Sequence, residues 1–138
     1  MIVYLDSSIL LRRLLGQRGT LREWRLVRTG VSSRITEVEG LRTLDGLRLQ
    51  ARLPDRQVAA LREGLYRMLA SLEIVEVTRA VLTRAAQPSP TMLGTLDALH
   101  LSSALLWRER TGKNLALATH DEALALSARA HGLRALGV

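Results

Sequence analysis

Cysteine is absent from this chain of 138 residues. Disulfide bonds, thiolate metal sites and a cysteine nucleophile are therefore excluded. Only three histidines are present, and their positions at 100, 120 and 131 do not suit a histidine-rich zinc site. Any metal site in this protein has to be built mostly from oxygen ligands.

Aromatic residues and long apolar runs are also scarce. Aromatic side chains make up 3% of the chain, so Leu, Val, Ile and Ala have to fill the core. No apolar run approaches the roughly 18 residues of a membrane span, and no basic segment precedes the first apolar run. We therefore expect a cytoplasmic protein with no membrane contact. The length and the 47% hydrophobic content predict one domain over residues 1–138.

Positive charge is in excess. The chain has 20 Lys and Arg residues against 13 Asp and Glu, and Lys113 is its only lysine. Arginine binds phosphate groups with two parallel hydrogen bonds, so a polyanionic partner is compatible with this composition. A coding bias toward Arg, Leu and Ala gives the same composition. Charge alone therefore makes nucleic acid a candidate partner and no more.

Strand-like and helix-like patterns alternate along the chain. Strands are predicted at 2–5, 31–33, 72–77, 115–118 and 133–136, and helices at 7–15, 21–29, 34–52, 55–71, 79–86, 95–110 and 120–131. Alternation of this kind is typical of a parallel sheet that helices cover on both faces. The predicted fold class is α/β, a three-layer α/β/α domain with a central, mostly parallel sheet.

Three aspartates occupy similar places in this pattern. Asp6 ends the first strand, Asp121 follows the strand at 115–118, and Asp97 lies in the first turn of the helix that begins at Thr95. Each of them alone is explained as a helix cap or as an acid favoured by the helix dipole. Together they meet at one edge of the sheet, where clustered carboxylates are unfavourable without a cation. Oxygen ligands suit Mg²⁺ or Mn²⁺, which predicts a metal-dependent phosphodiesterase.

Four segments carry a resemblance to a known family. The segments YLDSSILL, SSRITEVEGLR, TLDALHLSSAL and LATHDEAL occur in the order and spacing of PIN-domain ribonucleases. The chain most resembles the VapC-type toxins of bacterial toxin–antitoxin pairs, and the resemblance covers it from end to end. It implies a PIN-like fold and an endoribonuclease that hydrolyses RNA with Mg²⁺ or Mn²⁺. It also implies a cognate antitoxin protein as partner and a homodimer.

The resemblance implies a quartet of acids as catalytic residues and metal ligands. Asp6, Asp97 and Asp121 match the family's aspartates directly. The register of the Ser-Arg opening at residues 33–34 places the fourth acid at Glu39, with Glu37 as its competitor. Other positions that match or depart from the family are the hydroxyl positions Ser8 and Thr119, the arginine Arg42 behind Glu39, and Gly94, where many relatives have an arginine.

Two further features have more than one interpretation. His100 lies one helical turn after Asp97, and we expect it to be packed and hydrogen-bonded rather than a general base. Trp24, with Arg22, Arg25 and Arg28 around it, fits an amphipathic helix with a buried Trp, an RNA-stacking surface or a surface for a protein partner.

Two other functions remain open at this stage. A PIN-like domain can bind RNA or a protein without cutting. A haloacid-dehalogenase-like phosphatase also begins with a strand that ends in Asp, but it needs a second Asp where Ser8 stands and a suitable lysine, for which only Lys113 is available.

Overall fold

A sheet of five parallel strands forms the middle layer of the computed structural model, which describes residues 1–138. The strands are β1 (Ile2–Leu5), β2 (Thr29–Ser33), β3 (Glu73–Val75), β4 (Ala116–Ala118) and β5 (Arg134–Leu136). Their order is β3-β2-β1-β4-β5, and every neighbouring pair is parallel. The predicted α/β fold is confirmed, and the sheet is parallel throughout.

Six α-helices connect or follow the strands. They are α1 (Ser7–Leu14), α2 (Ile35–Leu49), α3 (Asp55–Ala70), α4 (Arg79–Ala85), α5 (Thr95–Thr111) and α6 (Glu122–Ala130). Most of these helices differ from the predicted ones by only one or two residues at either end. Helix α2, predicted over 34–52, ends at Leu49, three residues earlier than predicted. Thr78 caps α4 by accepting a hydrogen bond from the Val81 amide. None of the helices combines the length and apolar composition needed to cross a lipid bilayer.

The predicted helix at 21–29 is wrong. This segment contains a 3₁₀ helix over Arg22–Leu26, and Thr29 and Gly30 already belong to β2, which therefore starts two residues earlier than predicted. Gly30 pairs with Val3 of β1, and a Cβ on Gly30 would come within 2.5 Å of the Leu72 side chain. Gly30 is therefore a strand residue that makes room for a close neighbour.

Side chains of the central strand alternate between two cores. Tyr4 faces one core with Leu117, while Val3 and Leu5 face the other with Ala118. The first core is completed by α4, α5 and α6 through Val81, Leu105, Leu124 and their neighbours. The second is completed largely by α1 and by α3, through Ile9, Leu10 and Met68. Helices thus cover both faces of the sheet, which gives the three predicted layers.

The chain changes direction across the sheet at β1. It places β2 and β3 on one side of β1 and then returns to place β4 and β5 on the other side. In open parallel sheets, ligands bind beyond the carboxyl ends of the strands at such a switch point. Here that point lies between the ends of β1 and β4, where Leu5 pairs with Ala118.

Candidate active site

Asp6 is the first residue beyond β1, and its carboxylate lies inside the protein. The residue is 4% exposed. Its Oδ1 accepts a hydrogen bond from Ser7 Oγ at 3.1 Å, and its Oδ2 accepts from Ser8 Oγ at 2.8 Å and from Thr119 Oγ1 at 2.7 Å. Asp6 occupies the N-cap position of α1 but its side chain makes no capping bond. The expectation that Asp6 serves as a helix cap is wrong for its side chain, which three hydroxyl groups hold instead.

The hydroxyls of Ser8 and Thr119 connect the ends of β1 and β4. Thr119 Oγ1 also accepts a hydrogen bond from the Asp121 amide at 3.0 Å, and Ser8 Oγ accepts one from the His120 amide at 3.2 Å. Each hydroxyl is therefore fixed by a backbone donor while it donates to Asp6. This arrangement leaves the Asp6 carboxylate little freedom to rotate.

Glu39 reaches the same place from α2. Its side chain is 19% exposed, and its Oε1 lies 2.6 Å from His100 Nε2. Its Oε2 lies 3.1 Å from Ser7 Oγ, whose single hydrogen is shared between Glu39 and Asp6. Glu37, two residues earlier, points elsewhere and forms an ion pair with Arg34 at 3.4 Å. The structure therefore places Glu39, and not Glu37, beside Asp6.

His100 is the site residue whose contacts the sequence did not reveal. It lies on α5, its side chain is 1% exposed, and its Nε2 is 3.5 Å from Asp6 Oδ1. Its Nδ1 shares a hydrogen bond of 2.8 Å with the Tyr4 hydroxyl, whose ring meets the imidazole edge to face. Burial by itself lowers the pKa of His100, but the hydrogen bond to Glu39 and the nearby carboxylates outweigh burial and raise this pKa above its usual value. The only sequence signal was its spacing of one turn from Asp97.

Asp97 and Asp121 join Asp6 and Glu39 in a group of acids at the carboxyl end of the sheet, which we call the acidic edge. Asp97 is half-buried, and its pKa is raised first by burial and then by the charges of Asp121, Asp6 and Glu39. Asp121 is exposed, and its Oδ1 caps α6 by accepting a hydrogen bond from the Leu124 amide at 2.8 Å. Thr119 Oγ1, which donates to Asp6 and accepts from the Asp121 amide, connects these two acids, and capping is an observed role of Asp121.

The four acids fit a divalent cation by their chemistry. As they stand, no three acidic or histidine side chains converge closely enough to hold a metal ion. Glu39 is engaged by His100, and one oxygen of Asp121 is engaged by α6. Carboxylate oxygens are nevertheless the ligands that Mg²⁺ and Mn²⁺ prefer, and a cation would relieve the repulsion that raises the Asp97 pKa.

Two other sequence expectations are decided by position. Trp24 is half-buried against the second core, and the Arg13 guanidinium lies 4.3 Å from its ring centroid. The packing of the ring against the core agrees with the buried-Trp interpretation in part, because Trp24 is half-buried and lies on a 3₁₀ helix. Lys113 precedes β4, so it lies at the opposite edge of the sheet from Asp6. The phosphatase alternative therefore has no lysine at its site.

Comparisons with known proteins agree with this geometry. Residues 3–130 match the PIN domain family. Ribonuclease VapC46 of Mycobacterium tuberculosis is 31% identical over 135 residues, which cover 95% of this chain and 93% of the relative. Among solved structures, a toxin–antitoxin complex from Klebsiella pneumoniae matches with a TM-score of 0.64 at 20% identity, over 89% of this chain and 90% of that one. VapBC2 from Rickettsia felis, bound to a DNA fragment from its promoter, matches with a TM-score of 0.62 at 16% identity, over 98% and 97%. The two structures share the fold.

Proposed function

This chain belongs to the PIN domain family, and from that premise we propose that it is a metal-dependent endoribonuclease and the toxin of a toxin–antitoxin pair. It would hydrolyse RNA phosphodiester bonds and leave a 5′-phosphate and a 3′-hydroxyl. The ribonuclease relative from Mycobacterium tuberculosis, similar over nearly the whole chain, supports the reaction class. The resemblance to VapC-type proteins that the sequence predicted is confirmed by this relative and by the match to the PIN domain family.

One observation carries the proposal. The carboxylate of Asp6 is buried at the switch point of a parallel sheet, held by three hydroxyl groups, and bridged through Ser7 to Glu39. Helix α1 forms without a capping bond from the Asp6 side chain. The hydrogen bonds that hold this carboxylate from two strand ends are therefore not needed to start the helix. Firm positioning is what an active-site ligand requires.

Each acid has a separate task in this proposal. Asp6 would be the fixed ligand, Asp97 and Glu39 would supply further ligands, and Asp121 would hold or tune the site from the exposed side. When bound, Mg²⁺ or Mn²⁺ supplies activation of water and neutralises charge on the phosphate. His100 would hold Glu39 through its Nε2–H and balance part of the negative charge. Arginines around the site would hold the RNA backbone.

The partners are part of the same proposal. Toxin–antitoxin complexes among the solved structures of this fold support a cognate antitoxin as partner. A homodimer, a cytoplasmic location and a single domain over residues 1–138 stay predictions. A gene for a small DNA-binding protein beside the gene for this chain would support the antitoxin assignment.

Cleavage of RNA by the purified chain tests the reaction. We expect cleavage with Mn²⁺ or Mg²⁺, no cleavage with EDTA, and 5′-phosphate ends on the products. The double variant Asp6→Asn, Asp97→Asn should be inactive, while Glu37→Gln, which removes an acid outside the site, should cut like the parent. Full activity of the double variant would overturn the assignment. Binding of RNA without any cleavage would favour the non-cleaving module instead.

A further inference from the structure

A cleft lined by Arg12, Arg22 and His120 opens near the acids at the carboxyl end of the sheet. It lies between the end of α1, the 3₁₀ helix and residues 137–138, and its volume is about 480 Å³. This is within the range of roughly 300–1,000 Å³ for clefts that hold small ligands. Only Leu21 and Val138, the last residue of the sequence, are hydrophobic among the residues that line it. None of the four acids lines it, so the cleft is separate from the proposed metal site.

Two arginines without acidic partners line this cleft. Arg12 and Arg22 form none of the ion pairs of the structure, which use other arginines. Arg12 is half-buried and lies against the turn at Gly19, so close that a Cβ there would be 3.0 Å from Arg12 Nη1. Glu23 is the only acidic side chain of the lining. The cleft thus offers two guanidinium groups that form no ion pair, and that of Arg12 lies against the turn at Gly19.

The cleft is joined to the acidic edge by direct bonds. Arg12 follows Ser8 by one turn of α1, on the same side of the helix. His120 lines the cleft, and its amide donates to Ser8 Oγ, which in turn donates to Asp6. A strand of RNA that passes from the acids along α1 therefore meets Arg12 within one helical turn.

The wall of the cleft at His120 is rigid. The Nδ1–H of His120 donates to the Gly137 carbonyl at 2.9 Å. Gly137 has a φ of 91°, and a Cβ on it would come within 2.6 Å of the Thr119 carbonyl oxygen. Only glycine fits this position, and through it the His120 ring is tied to the last residues of the chain.

We propose that this cleft binds the phosphate backbone of single-stranded RNA next to the bond that is cut. Arg12 and Arg22 each bind a phosphate group, and the negative charge of Glu23 weakens this binding. Guanidinium groups suit this ligand because they meet phosphate oxygens with paired hydrogen bonds. The inference rests on the proposed ribonuclease function and adds to it the place where the substrate is held.

Equilibrium binding of a short fluorescent single-stranded RNA to the full chain tests this. EDTA prevents metal-dependent cleavage during the measurement, and the salt concentration is varied. For single strands, the slope of log affinity against log salt falls by about 0.7 for each lost phosphate contact. The double variant Arg12→Gln, Arg22→Gln should therefore lose about 1.4 from the slope. The double variant Arg62→Gln, Arg134→Gln removes the same charge from α3 and β5 and should keep the parent slope. Glu23→Gln should bind RNA more tightly.

The outcomes separate this inference from the function on which it rests. Cleavage by the parent chain, with an unchanged slope for Arg12→Gln, Arg22→Gln, would overturn the cleft and leave the ribonuclease assignment in place. A parent chain that neither binds nor cuts RNA would overturn both. Loss of slope together with a raised KM and a preserved kcat would support the cleft, because these arginines would then act on binding alone.

Discussion

The Nε2 atom of His100 lies 2.6 Å from Oε1 of Glu39, and these two residues are 61 positions apart in the chain. Because a carboxylate only accepts, the imidazole Nε2–H is the donor. The other ring nitrogen is paired with the Tyr4 hydroxyl at 2.8 Å. The histidine is thus hydrogen-bonded through both ring nitrogens. It holds Glu39, whose side chain is longer than those of the three aspartates.

Removal of the imidazole should destabilise the fold. In His100→Leu, the buried Tyr4 hydroxyl and one oxygen of Glu39 both lose their partners, and we expect a loss of about 2–4 kcal/mol in the free energy of unfolding. Denaturation by urea measures this value. Tyr4→Phe, which removes one hydroxyl, should lose only about 1–2 kcal/mol. A loss below about 0.5 kcal/mol in His100→Leu would mean that the network adds little to stability.

Stability should also depend on pH through His100. Burial lowers its pKa, but Glu39, Asp6 and Asp97 together raise it above the usual 6.5. A proton that the folded chain binds more tightly than the unfolded chain stabilises the fold fully below the unfolded pKa, and this contribution is lost as the pH rises through the folded pKa. In EDTA, the free energy of unfolding should therefore fall as the pH rises above about 6.5. Urea titrations across this range measure the fall, and His100→Leu should not show it.

The hydroxyl groups that hold Asp6 should matter for both stability and cleavage. Thr119→Val keeps the shape of the side chain and removes the hydroxyl that lies 2.7 Å from Asp6 Oδ2. We expect a loss of about 1–3 kcal/mol in stability, since a buried acceptor loses a donor. Cleavage of RNA should fall about 10–100-fold, as for other groups that orient a metal ligand. Thr111→Val, which removes a hydroxyl at the opposite end of the sheet, should cut RNA at the parent rate.

The fold was predictable because its determinants are local. The strands and most helices follow from apolar spacing, and the parallel sheet follows from their alternation. The segment at 21–29 was not predictable in this way, because Gly30 looks like a break in sequence and only the packing of Leu72 against it reveals a strand. Local pattern cannot show a contact between residues 42 positions apart.

The sequence indicates the four acids of the candidate site but not the contacts that each of them makes. Asp6 and Asp121 look alike in sequence, since each follows a strand and precedes a helix. Asp121 caps its helix, whereas Asp6 is held by Thr119, a residue 113 positions away. The choice between Glu37 and Glu39 likewise depends on which of them meets His100 and Ser7, and this is decided by how α2 and α5 pack against the sheet.

Asp97 should oppose folding in the absence of metal and serve the reaction in its presence. Its raised pKa means that the folded chain disfavours the charged form, first through burial and then through the neighbouring carboxylates. In EDTA at neutral pH, Asp97→Asn should therefore raise the free energy of unfolding, by up to about 1 kcal/mol because solvent screens a half-buried group.

The same substitution should abolish cleavage and weaken the binding of Mn²⁺, which calorimetry measures directly without RNA. It should also reduce the rise in melting temperature that Mn²⁺ gives the parent chain, because a ligand that binds only the folded state stabilises it according to its affinity. Asp45→Asn, on α2 and paired with Arg48, removes the same charge outside the site and should bind Mn²⁺ like the parent. If Asp97→Asn bound Mn²⁺ as tightly as the parent, Asp97 would be an acid of the protein surface and not a ligand. We expect Asp97→Asn to gain stability and to lose both Mn²⁺ binding and cleavage. This combination would show that the Asp97 carboxylate destabilises the metal-free fold and acts as a metal ligand.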